Sequence, residues 1–211
     1  PFLPMLDNYT RSFYQTGLLD PILRWPLWRS ISPNVITLFG CLVGIAIYPL
    51  LAFHYSWLAI VALLLTGFID TLDGSLARFY RRESPQGAAL DLFCDRVVEI
   101  AILIGLYSYD LENRALPIIF MLASVLLCIT SFLTVGIFSK NESEKSFYYS
   151  PGIMERAEAF GFFLLMILWP ALFSFLAWLF SALVLATAVV RLWQFFNYSR
   201  LVFVKVKTEK R

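Results

Sequence analysis

The chain has 211 residues, of which 59% are hydrophobic and 15% charged, with a formal net charge of +2. A soluble domain carries about 45–50% apolar and about 25% charged residues, so one soluble core of this length does not absorb this much Phe, Leu, Ile and Trp. The weak net charge leaves no footprint for nucleic acid, and Cys41, Cys94, Cys128 and the lone His54 offer neither a disulfide framework nor zinc-ligand spacing.

The first residue is Pro1, which leaves room for a preceding piece, and residues 1–30 lack the clean apolar stretch of a signal peptide. Residues 8–30 interleave Tyr9, Phe13, Tyr14, Trp25 and Trp28 with Arg11, Arg24 and Arg29. Too polar to cross a bilayer, this stretch suits the headgroup region and is predicted as an amphipathic helix lying on the membrane. Ser32 and Pro33 then supply an N-cap and a first-turn proline. At about 20 apolar residues per crossing, six spans are predicted, over roughly 34–53, 56–80, 87–109, 115–138, 152–171 and 173–198. The turn cluster Ser84-Pro85-Gln86-Gly87 and the polar loop over 141–150 separate spans. The predicted class is therefore an all-α integral membrane protein. An interfacial segment covers 1–32, a six-helix transmembrane domain covers 33–200, and a basic tail covers 201–211.

Basic residues orient this arrangement. The N-terminus, the 80s loop, the 140s loop and the tail share Arg11, Arg24, Arg29, Arg81, Arg82, Lys140, Lys145, Arg200, Lys205, Lys207, Lys210 and Arg211. The loops on the other side, near 54 and over 110–114, offer only Arg114. The positive-inside rule makes the first side cytoplasmic.

Spans two and three carry charges that lipid does not tolerate: Asp70, Asp73 and Arg78, then Asp91, Asp95, Arg96 and Glu99. Even on the lenient insertion scale, one such charge at the bilayer centre costs about 2.5–3.5 kcal/mol. The aspartates must therefore face protein or a water-filled cavity near the cytoplasmic surface. At about 100° per residue, Asp70 and Asp73 lie about 60° apart and Asp91 and Asp95 about 40° apart, so each pair shares a helix face. A short turn at 84–87 makes the two helices antiparallel neighbours, and the pairs can converge. Four carboxylates together repel unless protonated or neutralised, and hard oxygen ligands select Mg²⁺ or Mn²⁺. Two such ions would offset four aspartates.

Two other readings use the same residues. Arg78, Arg96 and Arg191 could pair with the carboxylates, although three arginines do not neutralise four aspartates and Glu99. A cation or proton transporter also needs intramembrane acids. Gly74 and Ala77 open space beside the carboxylates, and Arg78 suits a phosphate, which points instead to a pocket for a phosphorylated ligand. Glu99 is expected to partner Arg78 or Arg191.

Taken together, Asp70-Thr71-Leu72-Asp73-Gly74-Ser75-Leu76-Ala77-Arg78, eight further residues, then Gly87, Asp91 and Asp95 complete a motif DxxDGxxAR(x8)GxxxDxxxD. This resembles the full signature of the CDP-alcohol phosphotransferase family, and the six spans and interfacial segment are similar to that family's too. The resemblance implies that Asp70, Asp73 and Asp91 hold one metal, and Asp70, Asp91 and Asp95 a second. It implies nucleotide contacts from Pro33, Asn34, Thr37, Asp70, Gly74, Ala77, Arg78, Ser84 and Gly87, and a general-base role for Asp95. It further implies a homodimer and a CDP-linked lipid donor used at the cytoplasmic face of the membrane.

The chemistry so implied is attack of an acceptor hydroxyl on the β-phosphorus of a CDP-linked alcohol, with loss of CMP. A short chain of six spans resembles the enzymes that transfer phosphatidyl from CDP-diacylglycerol to a small polar alcohol. The longer relatives instead deliver phosphocholine or phosphoethanolamine to diacylglycerol. The stretch Gly152 to Glu158 is similar to a segment of inositol-phosphate-using members, which makes Lys140 and Arg156 candidate contacts for the acceptor. Ala159 stands where a further basic residue would be expected.

Overall fold

Pro49 lacks the N–H that would bond the carbonyl of Ile45, and its ring crowds that carbonyl. The first helical stretch of the computed structural model is accordingly divided at Ala46 into α1 (Pro33–Ile45) and α2 (Ile47–Ala52). The structure describes Leu23, residues 25–138, Met154 and residues 156–209. Every regular element among these residues is helical. The chain divides into two compact units, residues 1–105 and 106–211.

In the first unit, a 3₁₀ turn (Pro26–Arg29) leads into α1 and α2, followed by α3 (Ser56–Phe79) and most of α4 (Pro85–Ser108). Both α2 and α3 end in the same way. His54 (φ 61°) and Arg81 (φ 53°) adopt the left-handed conformation just past the helix ends. The Tyr55 and Arg82 N–H groups then reach back to the carbonyls of Leu50 (2.7 Å) and Ala77 (2.8 Å). These are Schellman closures, with histidine and arginine where glycine is usual. Helix α4 starts on Pro85, and the Ser84 hydroxyl caps it by accepting the Gly87 N–H at 3.0 Å.

Leu23, Ile36, Ile69, Leu72 and Leu76 form the core here, with Trp28, Ile31 and Tyr80 against it. Helix α1 approaches its neighbours through two glycines one turn apart. A Cβ on Gly40 would lie 2.8 Å from Ile69 of α3, and one on Gly44 would collide with Val98 of α4. Without a hydrophobic drive between helices in lipid, such close backbone contact supplies the packing.

The second unit contains the end of α4, then α5 (Ala115–Phe138), α6 (Arg156–Leu168), a 3₁₀ turn (Pro170–Leu172) and α7 (Phe173–Glu209). Helices α5 and α6 both pack on α7. Their buried hydroxyls are satisfied within their own helices: Ser124 donates to Met121 O (2.8 Å), Ser181 to Ala177 O (2.8 Å) and Thr187 to Leu183 O (2.9 Å). Arg191 of α7 donates to Cys128 O of α5 at 3.2 Å and lies over the Phe132 ring. Arg114, buried in the loop before α5, is stacked between Tyr109 and Phe173 and donates to Leu106 O at 3.1 Å.

Among the described residues, four stretches are long and apolar enough to cross a membrane: Pro33–Ala52, Ser56–Phe79, Ala115–Phe138 and Pro170–Asn197. They mark a multi-pass membrane protein. Two of the six predicted spans do not join this set. Helix α4 has the length, at 24 residues, but carries Asp91, Asp95, Arg96 and Glu99. Of the predicted span over 152–171, α6 covers Arg156–Leu168, 13 residues, and residues 152, 153 and 155 lie outside the described ones. At the far end, α7 runs on to Glu209, through most of the segment predicted as a separate tail over 201–211. The predicted interfacial helix lies almost wholly outside the described residues.

Candidate active site

The helical spacing of the aspartates has the expected result within the first unit. Asp70 on α3 and Asp91 and Asp95 on α4 bring one carboxylate oxygen each to within 4.8 Å of one another. All three are half-buried. Three carboxylates this close disfavour their shared ionised state unless a cation joins them, and an oxygen-only donor set matches a hard divalent ion. The residues present fit such a metal.

Asp73 stands apart from this trio. It is only 5% exposed, and its Oδ2 accepts the Thr37 hydroxyl of α1 at 2.5 Å. The same hydroxyl lies 3.2 Å from Pro33 O, so Thr37 spans the first turn of α1 and the acidic face of α3. Asp73, expected as a ligand of one metal only, has a carboxylate that accepts a buried hydroxyl in the structure.

The expected nucleotide residues gather at the same ends of these helices. The Arg78 guanidinium folds back along α3: its Nη2 lies 3.3 Å from Ser75 Oγ, and its Nη1 would sit 3.5 Å from a Cβ on Gly74. Gly87 lies where α1 and α4 converge, since an added Cβ would come within 3.1 Å of both Asn34 Oδ1 and Ser84 Oγ. Ser84 thus caps α4, in addition to the nucleotide contact expected of it. Ala77 is half-buried on the turn before Arg78.

A sequence model of the CDP-alcohol phosphatidyltransferase family matches residues 30–203, most of the chain. The chain belongs to the CDP-alcohol phosphatidyltransferase family. It is therefore a phosphotransferase of phospholipid synthesis, and a transporter reading has no support. The inner membrane protein YnjF of Escherichia coli (strain K12) is 34% identical over 171 residues, which cover 77% of this chain and 82% of that protein. Phosphatidylinositol phosphate synthase of Corynebacterium glutamicum is 26% identical over 148 residues, 67% of this chain and 64% of that enzyme. Among solved structures, Mycobacterium tuberculosis phosphatidylinositol phosphate synthase with CDP-DAG bound has a TM-score of 0.71 at 21% identity, over 85% of this chain and 94% of that one. The same mycobacterial enzyme in complex with manganese and citrate also gives 0.71. At this identity the likeness is one of fold.

Lys140 is outside the described residues. Arg156 opens α6 in the second unit, with its guanidinium over the Phe160 ring at 5.5 Å. Glu99, expected to partner Arg78 or Arg191, makes an ion pair within its own helix, with Arg96 at 2.7 Å. Two residues spaced i, i+3 on a helix are neighbours, so the local pairing needs no inter-helix reach. Two contacts near the site have no sequence signature: the Thr37–Asp73 bond, and the bonds of Arg82 to the carbonyls of Arg29 (2.8 Å) and Ile31 (3.2 Å).

Proposed function

We propose that this enzyme transfers a phosphatidyl group from CDP-diacylglycerol to the hydroxyl of a small polar alcohol, releasing CMP, at the cytoplasmic face of the membrane. The observation that carries this is the approach of the Asp70, Asp91 and Asp95 oxygens to within 4.8 Å, on the helices that also bear Gly74, Arg78 and Gly87. Asp70, Asp91 and Asp95 hold Mg²⁺ or Mn²⁺, with Asp73 as the further carboxylate of a two-ion set. A bound divalent metal supplies neutralisation of the diphosphate and of charge on the leaving oxygen.

The chain's own residues do the rest. Arg78 offers a planar fork of donors to phosphate oxygens. Gly87, packed against Asn34 and Ser84, keeps the starts of α1 and α4 close together beside the expected nucleotide contacts. Asp95 accepts the proton of the acceptor hydroxyl as its oxygen bonds to the β-phosphorus; the bond from that phosphorus to the bridging oxygen breaks, and CMP departs with the oxygen. The relatives named phosphatidylinositol phosphate synthases favour a phosphorylated inositol as acceptor, and Lys140 and Arg156 are the candidate cations for its phosphate. The basic residues flanking the 80s loop support the cytoplasmic placement.

The test is CMP release by purified protein with CDP-diacylglycerol, Mg²⁺ or Mn²⁺, and a panel of acceptors comprising inositol phosphate, glycerol phosphate, inositol and serine. Product lipid mass identifies the acceptor. Asp95→Asn is expected to reduce turnover at least about a hundredfold while retaining CMP binding, the range set by loss of a general base. No CMP release with any donor and acceptor pair would overturn the enzyme reading; full turnover by D95N would remove Asp95 as base.

A further inference from the structure

Arg82 lies in the eight-residue gap of the motif, four residues past Arg78, at a position the signature leaves open, yet its two carbonyl bonds tie the turn after α3 to the chain leading into α1. Its Nη2 donates to Arg29 O at 2.8 Å and its Nη1 to Ile31 O at 3.2 Å. The planar guanidinium fork suits two carbonyls two residues apart in a way that the single ammonium of lysine matches less closely. Tyr80, over whose ring Arg82 lies at 5.5 Å, donates its hydroxyl to Leu23 O at 2.8 Å. Leu23 is itself buried in the core with Ile36 of α1 and Leu72 and Leu76 of α3. Three hydrogen bonds from one turn therefore hold the backbone at 23, 29 and 31, immediately before Ser32 and Pro33.

The other end of the same turn governs the opposite wall. Ser84 caps α4 at Gly87, and Gly87 faces Asn34 so closely that a Cβ would be 3.1 Å from its side-chain oxygen. Residues 80–87 thus grip the start of α1 from one side and form the facing surface from the other. The placement of Pro33, Asn34 and Thr37 on α1 against Ser84 and Gly87 at the start of α4 follows from where that turn holds the preceding chain.

We propose that Arg82, assisted by Tyr80, is a positioning residue for the CDP-linked donor: it fixes the start of α1 against the α3–α4 turn and so sets where Pro33, Asn34 and Thr37 stand relative to Ser84 and Gly87. This rests on the reading that these residues contact the nucleotide. Arg82 touches backbone carbonyls and acts on substrate only through them.

The experiment is steady-state kinetics of the full chain in detergent, with CMP affinity measured by calorimetry in Mg²⁺, for Arg82→Gln, Arg82→Lys and Tyr80→Phe. Loss of one or two carbonyl bonds is expected to raise the KM for CDP-diacylglycerol and the Kd for CMP by about five- to tenfold, with kcat and the acceptor KM within about twofold. R82K, which keeps the charge but not the fork, should recover only part of the loss. A merely structural role would instead lower kcat and thermal stability with donor and acceptor KM values moving together, and that pattern overturns the proposal. So does a variant that binds CMP as tightly as wild type. Should R82Q not fold, Y80F and R82K carry the same comparison, since each retains the bulk of the side chain. Wild-type protein that binds no CMP would sink the nucleotide reading itself, and with it the role of Arg82. A wild type that binds and variants that match it would sink Arg82 alone.

Discussion

Asp73 and Asp95 share one motif but are held differently. Asp95 sits half-buried with Asp70 and Asp91, their oxygens within 4.8 Å of one another, whereas Asp73 is buried and takes a hydroxyl from another helix. A buried carboxylate deprived of its donor loses about 1–3 kcal/mol, more than an exposed one, because water does not replace the bond. Thr37→Val keeps the shape of the side chain and removes that donor. It is expected to weaken Mn²⁺ binding, followed by electron paramagnetic resonance of the free ion, by about tenfold, while Thr37→Ser stays near wild type. Unchanged Mn²⁺ affinity in T37V would show that the bond has no bearing on the metal. This contact joins residues 36 apart in the chain. Helical periodicity is blind to it, which is why the sequence reveals the aspartates and not the hydroxyl that orients one of them. The Arg82 contacts are hidden for a related reason: their acceptors are main-chain carbonyls, which every residue possesses.

At the scale of elements, the end of α3 carries a testable strain. Arg81 occupies a left-handed position (φ 53°) at a Schellman closure. An L-residue there costs about 1–2 kcal/mol, and glycine avoids that cost while losing about 0.5–1 kcal/mol of its own to backbone entropy. Arg81→Gly is therefore expected to stabilise the first unit by up to about 1 kcal/mol, read as a higher melting temperature in detergent. A lower one would mean that the arginine side chain contributes more than its backbone costs. The helices themselves were largely legible, because apolar runs bounded by Ser-Pro and Pro-Gly signals leave few alternatives. The boundaries that differ do so for identifiable reasons. Trp169 precedes Pro170 and adopts a non-helical conformation (φ −123°, ψ 74°), which ends α6 at Leu168 inside what reads as one apolar span. Beyond residue 197 the composition turns polar, but no glycine or proline interrupts the sequence from Phe173 to Glu209, and the helix continues. A change of polarity marks where a helix leaves an apolar environment; it does not stop the helix.

For the whole molecule, the distribution of basic residues predicts which side each loop faces. Glu83, in the α3–α4 turn, and Glu112, in the α4–α5 loop, are both exposed. In a background with Cys41, Cys94 and Cys128 replaced, Glu112→Cys is expected to react with an impermeant maleimide on intact cells, and Glu83→Cys only after permeabilisation. The reverse pattern would invert the proposed orientation. One feature of the second unit bears on how the chain is made. Arg114 is enclosed by Tyr109, only five residues earlier, and by Phe173, whose ring lies 4.1 Å from the guanidinium carbon. Synthesis reaches Phe173 some sixty residues after Arg114, by which point α5 has been completed. Until then one face of this cation has only water or headgroups against it. The α4–α5 corner is thus finished only when the last helix begins to emerge, so the ribosome's arrival at Phe173 sets the earliest moment at which the second unit closes.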